Sequence, residues 1–222
     1  MKVTPLTITA AAIIGYVLLK EDRMQLNDEQ IRKLKIHGSR YNLDFKNWTL
    51  LVIRGGSVDK DGAIARNNNI LNEWNDLFVL IKGFDVKVYL STCDPGRKWA
   101  LNPINQNGTF RIEPGLYYYQ KGKHDGKDAF NSASPISGRR DGNKDLKWNE
   151  KDQIYTDSVG NRFWINIHAS YTGSRVDGSS AGCMVTKAGW SSSEWKEFRD
   201  VLYKEYGSNK FPVLVTESKD IV

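Results

Sequence analysis

The chain has 222 residues, 40% of them apolar and 26% charged, which is enough for one large folded domain or a domain with an appendage and excludes bulk disorder. Its formal charge is +6, yet Lys and Arg alternate with Asp and Glu along most of the length, with no long basic run and no zinc-finger spacing, which argues against nucleic-acid recognition. Two cysteines exclude a disulfide scaffold.

Residues 1 to 22 hold an apolar segment, Pro5 to Leu19, closed by Lys20-Glu21-Asp22-Arg23. It falls short of the roughly 20 residues that span a bilayer, and no small-x-small cleavage site follows it. A hydrophobic helix is expected: an uncleaved anchor, a membrane-inserting or assembly helix of a virion protein, or a helix packed on another surface. Residues 23 to 40 read as a short amphipathic helix or linker, with Asn27 as N-cap, Gln30 three residues on, and Gly38 just past the end. His37 is expected there as a cation favouring the negative end of the helix dipole.

From residue 41 to the end the pattern is that of strands. Trp48–Arg54, Leu77–Ile81 and Val86–Leu90 are β-prone runs ended by Gly or by Asp94-Pro95-Gly96. Thr109–Ile112 and Leu116–Gln120 flank Glu113-Pro114-Gly115 and read as a hairpin. Ser191 or Ser192 caps a helix stopped by Gly207, with Trp195, Phe198, Leu202 and Tyr206 on one face. Phe211–Thr216 reads as an edge strand, because Pro212 lacks a ladder donor. Seven Trp, ten Tyr and eight Phe suit the β-rich α+β class that follows: an antiparallel sandwich or barrel with a C-terminal helix packed on it.

Chemistry points to one stretch, Ile165 to Thr186. His168 ends an apolar run, Cys183 follows Ser180-Ala181-Gly182 and opens a second one, and small and polar residues lie between. If the two runs are neighbouring strands, imidazole and thiol meet at one end of a sheet. A free thiol, with a pKa of about 8.5, is mostly protonated at neutral pH, and an adjacent imidazole can take its proton. Gly182 allows close approach of a substrate carbonyl to main-chain N–H groups that hold an oxyanion. The alternatives are a buried structural cysteine and a Cys93–Cys183 disulfide. Asp141-Gly142-Asn143-Lys144-Asp145 has the start of a calcium loop, with Asp152 at the twelfth position, but Leu146 stands where such a loop takes Gly. No cofactor is implied.

His168-Ala169-Ser170 and Ser180-Ala181-Gly182-Cys183-Met184-Val185 together resemble the signature of the L,D-transpeptidase (YkuD-type) catalytic domain. Ala169 stands where that family usually has Gly, Ala181 where it has a second His, and Met184 and Val185 where an Arg often follows the Cys. A wider series resembles phage-encoded relatives of that domain over about residues 48 to 190. It comprises Asn75-Asp76, Ser91–Gly96, Pro114–Tyr117, Gly122-Lys123-His124, Arg140-Asp141, Asn166–His168 and Ser180–Cys183. The resemblance implies Cys183 as nucleophile, His168 as general base, Ser180 and Gly182 shaping the oxyanion turn, and Tyr117, His124, Arg140 and Asp141 at the substrate. It implies peptidoglycan as partner and a virion-associated or exported protein, with the N-terminal helix contacting a membrane or other virion proteins. The rival expectation is a non-catalytic virion structural or wall-binding protein that keeps the fold.

Overall fold

The structure, a computed structural model, describes residues 24–158, 163–171 and 173–222. The apolar segment expected at residues 5 to 19 lies outside them. No helix among the described residues is long and apolar enough to cross a membrane.

In chain order the elements are α1 (Asp28–Ser39), β1 (Thr49–Arg54), β2 (Gly56–Val58), β3 (Ile64–Arg66), β4 (Asp76–Lys82), β5 (Asp85–Thr92) and α2 (Arg97–Leu101). Then come β6 (Phe110–Ile112), β7 (Gly115–His124), β8 (Lys127–Ser132), β9 (Ile136–Arg140), β10 (Ile154–Asp157), β11 (Ile167–Ser170), β12 (Met184–Gly189), α3 (Ser193–Tyr206) and β13 (Phe211–Glu217). Eight strands close into a barrel in the order β1-β13-β7-β8-β11-β12-β5-β4, with β4 pairing back to β1. A three-stranded sheet, β10-β9-β6, and a β2-β3 hairpin lie beside it. The β-rich α+β expectation holds, but the barrel is mixed and not purely antiparallel: β1 with β13 and β11 with β12 run parallel.

Strand alternation feeds two cores. Leu50 and Val52 of β1, Phe78 and Leu80 of β4, and Val213 and Val215 of β13 face one cluster. Their neighbours Leu51, Ile53, Leu77, Val79, Ile81 and Leu214 face a second. Successive side chains of a strand point to opposite faces, so these three strands are covered on both sides and read as continuous apolar runs. Trp195, Phe198 and Leu202 of α3 join the first cluster, where Phe198 packs on Phe78, Tyr89 and Phe130. Leu34 of α1 joins the second. Ser192 caps α3 by accepting from Trp195 N–H, and Asn27 caps α1 by accepting from Gln30 N–H.

Three sequence expectations are corrected. Phe110–Ile112 and the strand after Glu113-Pro114-Gly115 do not form a hairpin: β6 pairs with β9, and β7 pairs with β13 and β8. Pro212 is not on an edge strand, since β13 lies between β1 and β7. It is tolerated because its partner Tyr118 turns its own N–H and C=O toward Ser134 and Ala133, and the ladder to β1 begins one residue later, at Val213. His37 is not a solvated cation at a helix end. It is buried within α1, bonded through Nε2 to Thr216 Oγ1 at 3.0 Å, and burial lowers its pKa.

A charged clamp closes one end of the barrel. Arg54, 1% exposed at the end of β1, reaches Asp94 Oδ1 at 2.8 Å, Glu217 Oε1 at 2.9 Å and the Ile112 carbonyl at 2.7 Å. Arg111 supports it from β6, at 3.2 Å from Asp94 and 3.5 Å from Glu217. Asp76, Cys93 and Asp94 also cluster there within 4.8 Å of one another. Their acceptors are already engaged: Asp76 accepts from Gly55 N–H and Cys93 N–H, and Asp94 from Arg54 and Asn69. We read this cluster as structural.

Candidate active site

The parallel register of β11 on β12 pairs Ile167 with Met184 and His168 with Val185. Cys183, one residue before β12, therefore falls beside Asn166, whose N–H lies 3.5 Å from Sγ. A two-residue step along β11 puts His168 on the same face as Asn166. The third member arrives from the β7–β8 hairpin. Its tip is Asp125-Gly126, both with positive φ (48° and 76°), the two-residue turn that matches strand twist. That turn fixes His124 opposite Lys127. One ring nitrogen each from His124 and His168 and the Cys183 sulfur lie within 4.8 Å of one another.

Both cysteines are free, so the Cys93–Cys183 disulfide is not formed. Cys183 is 7% exposed and His168 fully buried. His168 Nδ1 is 2.8 Å from the Ala169 carbonyl. A carbonyl only accepts, so Nδ1 carries the proton and Nε2 holds the lone pair. That Nε2 is buried with no hydrogen-bond partner among the described residues. The thiol points at the Trp164 carbonyl, 3.3 Å away. Trp164 adopts a φ of 52°, uncommon for a bulky residue, and is largely exposed.

The expected thiolate–imidazolium pair is not the resting state. Burial pushes the Cys183 thiol up to about 11 and pushes His168 down to about 3, the latter helped by His124. Both groups rest neutral, because each loses hydration that only its charged form needs.

His168 lies in a stack. His124 covers one face with ring centroids 4.0 Å apart and planes 8° apart, and Trp190 lies parallel at 5.7 Å. The rim is Tyr171, which donates to Asp125 at 2.6 Å, and Lys127, which lies over the rings of Tyr171 and Trp190. Face-to-face imidazoles hold their lone pairs in parallel planes, so one ion cannot lie in the plane of both rings in this arrangement.

The oxyanion turn also differs in detail from expectation. Gly182 N–H donates to Ser180 Oγ at 3.1 Å, and Ser180 donates on to the Cys183 carbonyl at 2.8 Å. Ser180 thus brackets the turn before Cys183 and takes up the Gly182 N–H, while the Asn166 N–H is the main-chain donor directed at the sulfur. Gly182 itself is required twice over: its φ is +124°, and an added Cβ would come 2.6 Å from the Phe110 carbonyl oxygen.

Of the residues expected at the substrate, only His124 joins the pair. It is the half-buried last residue of β7. The Tyr117 hydroxyl is spent on the carbonyls of Glu113 and Ser137. Arg140 stacks over Phe110, Tyr155 and Phe163 and donates to the Gly108 carbonyl. Asp141 is buried and accepts from Asp145 N–H and Leu146 N–H. Asn143 Oδ1 also accepts from Asp145 N–H, and Asp152 accepts from Asn149 N–H. The residues at calcium-loop spacing thus turn oxygens onto their own loop. Sequence reading missed Asn131, Tyr171, Trp190 and Lys127, and gave Asn166 a place in the motif series without a role. Only Asp125-Gly126, a strong hairpin signal, was there to place Lys127 opposite His124.

No family model, no curated protein and no solved structure matches the chain. What fold and site define together is a mixed eight-stranded barrel that carries a buried cysteine–histidine pair between two of its parallel strands.

Proposed function

We propose that the protein carries out cysteine-dependent acyl transfer on an amide. The observation that carries this reading is that a ring nitrogen of His168 lies within 4.8 Å of the Cys183 sulfur, while its Nε2, left as the lone pair by the Nδ1 bond to the Ala169 carbonyl, has no partner among the described residues. As Sγ attacks the carbonyl carbon, its proton passes to Nε2, and the tetrahedral oxyanion is held by the main-chain N–H of Cys183. Collapse expels the amine, which takes the proton from Nε2, and leaves a thioester. Water or a second amine then attacks that thioester, making the enzyme a peptidase or a transpeptidase. A neutral resting pair suits this order of events, since charge appears only when the substrate carbonyl is there to receive the sulfur.

The substrate class proposed is the peptidoglycan stem peptide, in an exported or virion-borne setting. Support comes from the motif series over residues 48 to 190 and from the position of its His124, His168 and Cys183 members in one cluster. The exposed Lys127 and Asp125 on the rim suit a short peptide that carries both charges. The second reading is a non-catalytic virion or wall-binding scaffold, favoured by the 7% exposure of Cys183. Incubating the protein with purified peptidoglycan of several wall chemotypes, beside Cys183→Ser, separates the two. New muropeptides with the parent protein alone support acyl transfer. Unchanged muropeptides together with a sulfur inert to iodoacetamide leave the scaffold.

A further inference from the structure

Acyl transfer by Cys183 and His168 does not by itself account for three polar side chains behind them: Asn131, Asn166 and His124. Asn131 Oδ1 accepts from Lys123 N–H at 3.2 Å, and its Nδ2 donates back to the Lys123 carbonyl at 3.0 Å. A backbone donor and a backbone acceptor on one residue leave no choice about which end of the carboxamide is which. The second hydrogen on Nδ2 goes to Asn166 Oδ1 at 2.7 Å, which orients Asn166 in turn. Asn166 Nδ2 then lies 2.9 Å from His124 Nδ1 and has only hydrogens to offer. A ring nitrogen that receives such a bond carries no proton, so His124 keeps its single proton on Nε2.

The sequence reserves space for this relay. A Cβ at Gly122 would come 1.9 Å from Asn131 Oδ1, so the glycine two residues before His124 is where the carboxamide lies. Asn166 is 2% exposed, and its main chain serves the site too, the N–H toward Cys183 Sγ and the carbonyl accepting from Met184 N–H.

We propose that the Asn131–Asn166 relay locks His124 as the neutral Nε2–H form, and that His124 is a positioning residue for the base. Its flat, uncharged ring is one face of the slot that aims His168, with Trp190 as the other. The proposal rests on Cys183 and His168 being the reacting pair. When the thiol proton reaches His168, an imidazolium forms 4.0 Å from the centroid of His124, and a charge on His124 would oppose it. The indole face of Trp190 favours the same cation. Of the charged and titratable groups facing His124, Asp125 favours its protonation. Lys127, His168 once charged, and the donor from Asn166 oppose it, while Tyr171 and Cys183 stay neutral.

Long-range ¹H–¹⁵N spectra of the full chain at pH 7.5, with rings assigned through His37→Gln and His124→Gln, read both tautomers directly. Expected are a protonated Nε2 with bare Nδ1 at His124, and the reverse at His168. Asn166→Asp replaces the donor by an acceptor. It should put a proton on His124 Nδ1 and move the acid limb of iodoacetamide alkylation at Cys183 up by at least one pH unit, with circular dichroism unchanged. A wild-type His124 protonated at Nδ1, or an Asn166→Asp protein with both readouts unmoved, overturns the relay. Should wild-type Cys183 resist alkylation at every pH, the reacting pair fails, and the wild-type spectrum still decides the tautomer lock.

Discussion

Replacing Arg54 by Met tests the barrel-end clamp. Methionine keeps an unbranched stem in the buried channel and removes three bonds at once, to Asp94, Glu217 and the Ile112 carbonyl. Burial works against a charge at Arg54, and the groups around it, Cys93, Asp94, Glu217 and Asp76, overcome that and keep it charged. Removing one partner of a buried ion pair costs about 3–5 kcal/mol, because the other is left uncompensated. Here Arg111 and Asn69 still serve Asp94, and Arg111 still approaches Glu217. The loss should therefore fall at the lower end, about 3 kcal/mol. With a urea m-value of about 2–3 kcal/mol/M, the midpoint drops by about 1–1.5 M. The assay is urea unfolding followed by tryptophan fluorescence, with Arg111→Met as the comparison and an expected loss of about 1 kcal/mol, since that side chain is more exposed. An Arg54→Met protein within 1 kcal/mol of wild type, or Arg111→Met as the more damaging change, would refute the reasoning.

Cys183, pushed up to about 11 by burial, should be alkylated in the absence of substrate at a rate that rises about tenfold per pH unit from pH 7 to 9, whereas a preformed ion pair would show a plateau. Peptide mass mapping assigns the site. His168, held down to about 3 against an ordinary 6.5, binds fewer protons folded than unfolded. Its contribution to stability is full above 6.5 and is lost as pH falls toward 3, by at most about 5 kcal/mol. Chemical unfolding of His168→Gln between pH 4 and 7 should show a shallower fall with acid than the parent, and an identical slope would dismiss the assignment. Gly182→Ala combines a strained φ with a clash on the Phe110 carbonyl and should lose about 2–3 kcal/mol, read as a lower midpoint in thermal unfolding. Ser192→Ala removes the α3 cap and should lose about 1 kcal/mol in the same measurement, with no change in Cys183 alkylation.

Much of the barrel was legible because its strands carry local signals. β1, β4 and β5 are apolar or alternating runs ended by glycine turns, and α3 has a cap, a stripe and a stop. What failed was pairing across distance. Glu113-Pro114-Gly115 looks like a hairpin turn, but the partner that completes β6 is β9, and nothing local in Phe110–Ile112 records that. The Pro212 rule failed for a similar reason: its missing N–H matters only if a neighbour needs it there, and none does. At the site, His168 and Cys183 were legible from their flanking strands and small-residue loop. Their ionisation was not, because it depends on how dry the pocket is. Asn131 carries no spacing signal and Asn166 only its place beside His168 in the motif series, while Gly122 marks the room that Asn131 needs.

Each of the eight main strands has a neighbour on both sides, but the pairing is uneven: β12 meets β5 only at Ser91 and Thr92, and β11 meets β8 only at Phe130. Among the described residues, the stretch from Asp85 to Leu90 therefore has no strand partner on its β12 side, and it joins the margins of the β10-β9-β6 and β2-β3 sheets as an edge of the kind that binds an extended peptide by strand addition.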